Sequence, residues 1–154
     1  MLTIRPADLA EAQTRALLAL HLAGMQANSP AEAVFALDLS GLARPDVRVW
    51  TCWAGESIAG VGALRTLDAA HGEVKSMRTH PDHLRRGAAA ALLAHIVAAA
   101  RASGMTRLSL ETGSGPAFDP ALALYRRHGF VEGAAFGDYE KSAFNQFLHL
   151  ELPE

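Results

Sequence analysis

The chain has 154 residues, half of them hydrophobic, with a formal net charge of -2 and a sequence pI near 6.4. That composition suits one domain around one core and excludes a general nucleic-acid coat, since no basic run exceeds the pairs Arg85-Arg86 and Arg126-Arg127. A lone cysteine, Cys52, excludes an internal disulfide and fits a reducing compartment. The start, Met1 to Pro6, lacks the basic and apolar regions of a signal peptide, and the most apolar run, Ala88 to Ala100, is too short for a bilayer. The sequence therefore predicts a cytoplasmic protein with neither nucleic acid nor membrane as partner.

Residues 2–5 alternate and end at Pro6, predicting a short first strand. Asp8 is placed to cap a helix reaching His21 or Met25, with Leu9, Ala12, Ala16, Leu17 and Leu20 on its apolar face. Asn28-Ser29-Pro30 breaks it, and a second short helix is expected over 31–39, before Gly41. Val47, Val49, Thr51 and Trp53 then alternate with Arg48, Trp50 and Cys52. A turn at Gly55-Glu56 and a return strand over 58–67 complete a hairpin. His71-Gly72 turns the chain into a third strand over 73–79, ended by Pro81. A long alanine-rich helix is expected over 84–103, closed by Gly104. A strand over 108–112, a shorter helix over 120–128 closed by Gly129, and an alternating strand over 145–152 follow. The order βααβββαβαββ predicts a single α/β domain over 1–154, a mixed sheet with helices on both faces.

The stretch from His80 to Ala89 joins a strand directly to a helix. The first turn of a helix carries unpaired N–H groups and partial positive charge, a seat for phosphates. Gly87, Ala88 and Ala89 leave clearance for a backbone to approach a pyrophosphate, and Arg85 and Arg86 add charge at its rim. Taken alone, the same residues also read as a solvated helix start.

Together with Leu124-Tyr125-Arg126-Arg127-His128-Gly129-Phe130 downstream, this order of elements resembles the GNAT superfamily of N-acetyltransferases over essentially the whole chain. The superfamily's turn pattern, Gln/Arg-x-x-Gly-x-Gly/Ala, is met by Gly87 and Ala89 and departed from at Leu84. Gly72-Glu73-Val74-Lys75-Ser76-Met77-Arg78-Thr79, Leu108-Ser109-Leu110-Glu111-Thr112-Gly113 and Phe136-Gly137-Asp138-Tyr139 carry a further resemblance to a bacterial, single-domain, uncharacterised subgroup. The resemblance implies a central mixed, mostly antiparallel sheet of six to seven strands flanked by about four helices. It implies direct transfer of an acetyl group from acetyl-CoA to a small amine within a ternary complex, and it leaves a homodimer open. A sensor or structural module that binds acyl-CoA with little turnover is the alternative. By the same resemblance, Met77, Arg78 and Thr79 line the pantetheine arm, with the N–H of Met77 as oxyanion donor. The turn of Arg85, Arg86, Gly87, Ala88, Ala89 and Ala90 holds the diphosphate.

Acetyl transfer to an amine needs a base, because an amine with pKa near ~10 is protonated at neutral pH. It also needs a donor for the oxyanion and an acid for the departing thiolate. Glu73 is the candidate base. Strand alternation places Glu73, Lys75 and Met77 on one face, and some members of the superfamily use a strand glutamate at this distance before the motif glycine. Others use a different residue or a water chain, and Glu73 reads equally as an exposed strand-end glutamate paired with Lys75. Tyr125 is the candidate acid. A phenol near ~10 facing a thiol near ~8.5 has little drive, so its position counts for more than its acidity. It reads otherwise as an anchor for a helix end.

The superfamily's asparagine upstream of this tyrosine is Phe118 here, which leaves Ser114 or Thr112 to supply a lost hydrogen bond. Lys75, Tyr139 and Glu32 are the candidate acceptor-pocket residues and hint at an acceptor with its own carboxylate. Phe35, Leu37 and Leu39 near the second helix read as packing residues, in a region that by the resemblance also walls the acceptor pocket. Arg126 and Arg127 fit a solvated helix end better than a phosphate contact. Seven histidines scattered over different elements predict no metal site, and Cys52 reads as core.

Overall fold

A two-residue period sends strand side chains alternately to two faces of a sheet, and the computed structural model covers both with helices. It describes residues 1–153; Glu154, the last residue of the expected domain, lies outside them. In chain order the elements are β1 (Leu2–Pro6), α1 (Ala12–Asn28), α2 (Leu39–Leu42), β2 (Val47–Ala54), β3 (Ser57–Asp68) and β4 (His71–Thr79). Then come α3 (Ala88–Ala102), β5 (Arg107–Thr112), α4 (Asp119–Arg127), β6 (Val131–Glu132) and β7 (Gln146–Glu151). The strands form one seven-stranded sheet in the order β1-β2-β3-β4-β5-β7-β6. Every neighbouring pair is antiparallel except β4 and β5, which run parallel. This is the mixed, mostly antiparallel sheet with four helices that the resemblance implies. No helix among the described residues is long and apolar enough to cross a membrane.

On one face, Leu64, Val74 and Leu108 pack against Leu92 and Ile96 of α3 and Leu122 of α4. On the other, Trp53, Val61 and Ala63 meet Leu17 and Leu18 of α1 and Leu42 of α2. Each large aliphatic so buried contributes about 1.5–3 kcal/mol.

Four boundaries differ from expectation. The turn expected at His71-Gly72 falls at residues 69–70, and both His71 and Gly72 are paired within β4. The other three have local reasons. Glu11, not Asp8, caps α1, its carboxylate accepting from the N–H groups of Gln13 and Thr14 at 3.0 and 2.8 Å. Asp8 instead holds the preceding turn through the Ala10 N–H. The buried stripe is consequently Thr14, Leu17, Leu18 and His21, while Ala12, Ala16 and Leu20 face outward. The helix expected over 31–39 divides into a 3-10 turn, Ala31–Ala33, and the short α2. Asp38 starts α2 by accepting from the Gly41 N–H at 2.9 Å, the placement its short carboxylate favours. The long helix begins at Ala88 rather than at residue 84. Pro81–His83 form a 3-10 turn, Leu84 is extended, and Arg85 and Gly87 have φ of 62° and 88°, conformations a right-handed helix cannot contain.

Candidate active site

The parallel ladder between β4 and β5 has three pairs and ends at Glu73 opposite Ser109; beyond it the two strands part. The opening coincides with an irregularity. Ser76 sits at φ 55°, and the β3–β4 register slips between Val61 and Ala63. A Cβ on Gly62 beside this bulge would lie 2.6 Å from Met77 Sδ and 3.0 Å from Ile96 Cδ1, so any side chain there displaces the Met77 thioether. The bulge also changes which side chains share a face. Glu73 and Lys75 remain together, but Met77, expected beside them, turns to the opposite face and packs with the α3 cluster. An extra residue in a strand reverses the alternation after it.

The His80 N–H donates to Ala59 of β3 at 2.8 Å. The two-residue period therefore leaves the peptide groups of Met77 and Thr79 facing the gap. Arg78 does not face it. Its register partner is Val61, and its Nε donates to His21 Nδ1 of α1 at 3.0 Å. Burial, with the charges of Arg78 and Lys75 adding, pushes the His21 imidazolium down to about 4, so the ring is a neutral acceptor.

Below the gap, the chain turns into α3. His80 Nδ1 accepts from the Asp82 N–H at 3.0 Å, and the His83 ring and Ser57 Oγ are 2.9 Å apart, which ties the turn to β3. Arg85, Arg86 and Gly87 are exposed, Ala88 is buried in the core, and Ala89 and Ala90 are half-buried. The first helical bond runs from the Ala91 N–H to the Gly87 carbonyl, so the amides of Ala88, Ala89 and Ala90 have no helical partner. A Cβ at Gly87 would meet nothing within 4 Å; the backbone angle, not crowding by the protein, calls for glycine.

Glu73 is 1% exposed, which excludes the reading of an exposed strand end. Its Oε2 accepts from the Tyr139 hydroxyl at 2.5 Å and from Lys75 Nζ at 3.3 Å. Lys75 Nζ also donates to the Tyr139 hydroxyl at 2.7 Å. Oε1 is sealed without a hydrogen bond, 4.0 Å from Arg65 Nη1. Phe35 and Phe136 hold the Tyr139 ring edge-on at 5.0 and 5.1 Å. Burial and the neighbouring Glu73 charge push its phenol up. The structure thus joins Glu73, Lys75 and Tyr139 in one cluster, but Glu32 is exposed and makes no ion pair among the described residues.

Sequence reasoning gave no role to Glu111, which lies on the same face. The sole signal was a charged residue set between the buried Leu110 and Thr112 of a strand. Burial pushes its carboxyl up to about 7, against the pull of Lys75 and with Glu73 adding. Next to it, His149 donates from Nε2 to the Ala134 carbonyl, so its Nδ1 accepts from Ser109 Oγ at 2.7 Å. Ser109 in turn accepts from His71 Nε2 at 2.6 Å. The carbonyl can only accept, which fixes the His149 Nε2–H as donor; the other two roles are those of a neutral imidazole.

Tyr125 lies in α4 on the other face, edge-on to Phe130 at 5.9 Å. Burial pushes its phenol up, and its hydroxyl has no hydrogen-bond partner among the described residues. Phe118 packs edge-on to Phe144 at 5.5 Å, so the place of the superfamily's asparagine is apolar here. Arg126 pairs with Glu132 at 3.5 Å on the surface. Cys52 is fully buried, and burial raises its thiol pKa.

A sheet that opens beside a bulge, with exposed amides at the helix start beneath the opening, defines a scaffold for presenting an acyl thioester. The chain belongs to the GNAT family of acetyltransferases: residues 11–130 match the family described as Acetyltransferase (GNAT) family. It is 46% identical to the uncharacterized N-acetyltransferase YedL of Escherichia coli over 154 residues, 100% of this chain and 97% of that protein. It is 43% identical to the uncharacterized N-acetyltransferase YsnE of Bacillus subtilis, over 94% of this chain and 96% of that one. A Klebsiella pneumoniae structure assigned as an acyl-CoA N-acyltransferase superposes with TM-score 0.82 at 29% identity, covering 99% of this chain and 98% of that chain. An acetyltransferase from Bacillus subtilis in complex with CoA superposes with TM-score 0.75 at 19% identity, covering 99% and 100%. The protein is accordingly an acyltransferase of the N-acetyltransferase kind.

Proposed function

We propose that the protein transfers the acetyl group of acetyl-CoA directly to a small amine in a ternary complex, in the cytoplasm. The observation that carries this reading is the parting of β4 from β5 above a turn with left-handed Arg85 and Gly87. Alternating φ signs aim successive amides at one point, and the amides of Ala88, Ala89 and Ala90 add the helix end to it. Arg85 and Arg86 supply positive charge at the rim, while Met77 and Thr79 offer unpaired peptide groups to an extended amide-bearing arm. The Met77 N–H is the donor for the oxyanion.

Acetyl-CoA brings an activated thioester, and this chain's residues position it. Direct transfer is supported by Cys52: the chain's sole thiol is sealed in the core and cannot carry the acetyl group. Tyr125 is proposed to protonate the departing thiolate, its otherwise unpartnered hydroxyl being free for that bond. Glu73 is proposed to act through the Tyr139 hydroxyl, which shields it, and to fix the orientation of that ring and of Lys75. Lys75 uses two of its three N–H donors there, leaving one for an acceptor group.

The test is calorimetry with acetyl-CoA followed by a thiol-release assay with a panel of amines. Binding and amine-dependent release are expected. Binding without release would favour a sensor, and absence of binding would remove the reading altogether.

A further inference from the structure

We propose that Arg78 binds a carboxylate of the acceptor, which makes the acceptor an amino acid or another amine bearing that group. This rests on the acetyltransferase reading above and names the acceptor class for it. A strand in unbroken alternation would send Lys75 and Arg78, three positions apart, to opposite faces. The bulge at Ser76 puts them on one. Lys75 pairs with Ala63 and Arg78 with Val61, and both partners belong to the core beneath α1. Directly opposed residues share a face. Val61 and Ala63 are two positions apart on β3, so the two cations leave the sheet about 7 Å from one another. The peptide of Met77, the proposed oxyanion donor, lies between them.

The guanidinium is held in one orientation. Its Nε donates to His21 Nδ1 at 3.0 Å, and its Nη2 reaches the His21 carbonyl at 3.5 Å. The side-on edge of the fork is thereby committed to a single residue of α1. Gly24, three residues further on, makes room for it, since a Cβ there would lie 2.8 Å from Nη2. The end-on edge, formed by Nη1 and the second N–H of Nη2, is left over. Nη1 has no hydrogen-bond partner among the described residues and is not sealed from solvent. Two parallel N–H donors on a rigid fork match the two oxygens of a carboxylate.

The charge is unmatched as well. His21 is neutral, so it orients the guanidinium without compensating it. Glu73, beyond Lys75 on the same face, is committed to Lys75 and the Tyr139 hydroxyl. Arg78 itself makes no ion pair among the described residues. Burial lowers its pKa from the ordinary value, as it does for a half-buried cation without a counter-ion. A carboxylate on the acceptor supplies that counter-ion, and the remaining Lys75 N–H lies on the same face to share it. An amine without an anionic group would leave Arg78 uncompensated when it enters and displaces water.

The experiment uses the whole chain with acetyl-CoA and the common amino acids, each beside its carboxamide and its decarboxylated amine. For at least one acid, kcat/KM in the thiol-release assay is expected to exceed that of both carboxylate-free counterparts about 10–10²-fold. In Arg78→Met that ratio is expected to fall toward one, through KM rather than kcat, with acetyl-CoA affinity by calorimetry as in the wild type. Arg78→Lys keeps a charge for folding but lacks the fork, and it is expected to retain only part of the preference. A panel in which no acid surpasses its counterparts overturns the assignment, and so does a preference that survives intact in either variant. Release with the carboxylate-free amines would then still support the acetyltransferase reading, whereas absence of acetyl-CoA binding in the wild type removes both.

Discussion

Lys75→Met tests whether the Glu73 cluster is a buried ion pair or a surface contact that happens to lie inside. The side chains of Lys75 and Glu73 are 8% and 2% exposed, and their nitrogen and oxygen are 3.3 Å apart. Removing the cation keeps the volume but leaves Glu73 with the Tyr139 hydroxyl and a guanidinium 4.0 Å away. Breaking a pair this deeply buried costs about 3–5 kcal/mol. At about 2–4 °C per kcal/mol for a chain of this size, Tm falls by about 6–20 °C. The double variant Lys75→Met with Glu73→Gln no longer holds an orphaned charge and is expected to recover more than half of that loss. Urea unfolding followed by circular dichroism measures both, provided m is unchanged between variants. A loss below about 1 kcal/mol for the single variant, the size of an exposed pair, would refute the reasoning.

Gly87→Ala is expected to cost about 1–2 kcal/mol, the strain of a left-handed L-residue, because nothing lies near its Cβ. Gly87→Asn is expected to cost less, and calorimetry is expected to find acetyl-CoA binding weakened in both; equal stability of all three proteins argues against the conformation. Tyr125→Phe is expected to leave Tm nearly unchanged, since the hydroxyl has no partner, but to lower turnover about 10²-fold or more in the thiol-release assay. His21 has its pKa lowered from 6.5 to about 4, so the folded state binds fewer protons than the unfolded one below pH 6.5. Its stabilisation of about 3 kcal/mol is present above pH 6.5 and lost as pH falls toward 4. The slope of stability against pH over that window is expected to flatten in His21→Gln, and an unchanged slope counts against the burial of a neutral ring.

Much of this was legible in the residues because it is local. Strand alternation from Val47 to Trp53, the punctuation by Pro81, Gly104 and Gly129, and the Arg85-Arg86-Gly87 turn all depend on neighbours in sequence. The errors fell where a competing local choice won: Glu11 over Asp8 as cap, and a 3-10 turn with a left-handed pair in place of four more helical residues before Ala88. The cap lies three residues later than expected, and the helix that follows buries Thr14, Leu17, Leu18 and His21 while Leu20 faces solvent.

The sequence by itself determined the sheet with its helices on both faces, the helix start that bares its amides, and the pairing of Glu73 with Lys75, since these follow from period and spacing. Only the tertiary structure decided that Tyr139 closes over Glu73, that Met77 leaves its face, and that Glu111 stands free across the gap from Lys75. Those facts come from a one-residue bulge at Ser76 and from contacts between residues more than sixty positions apart. No periodicity in a single strand encodes how two strands diverge, because divergence is a property of the pair.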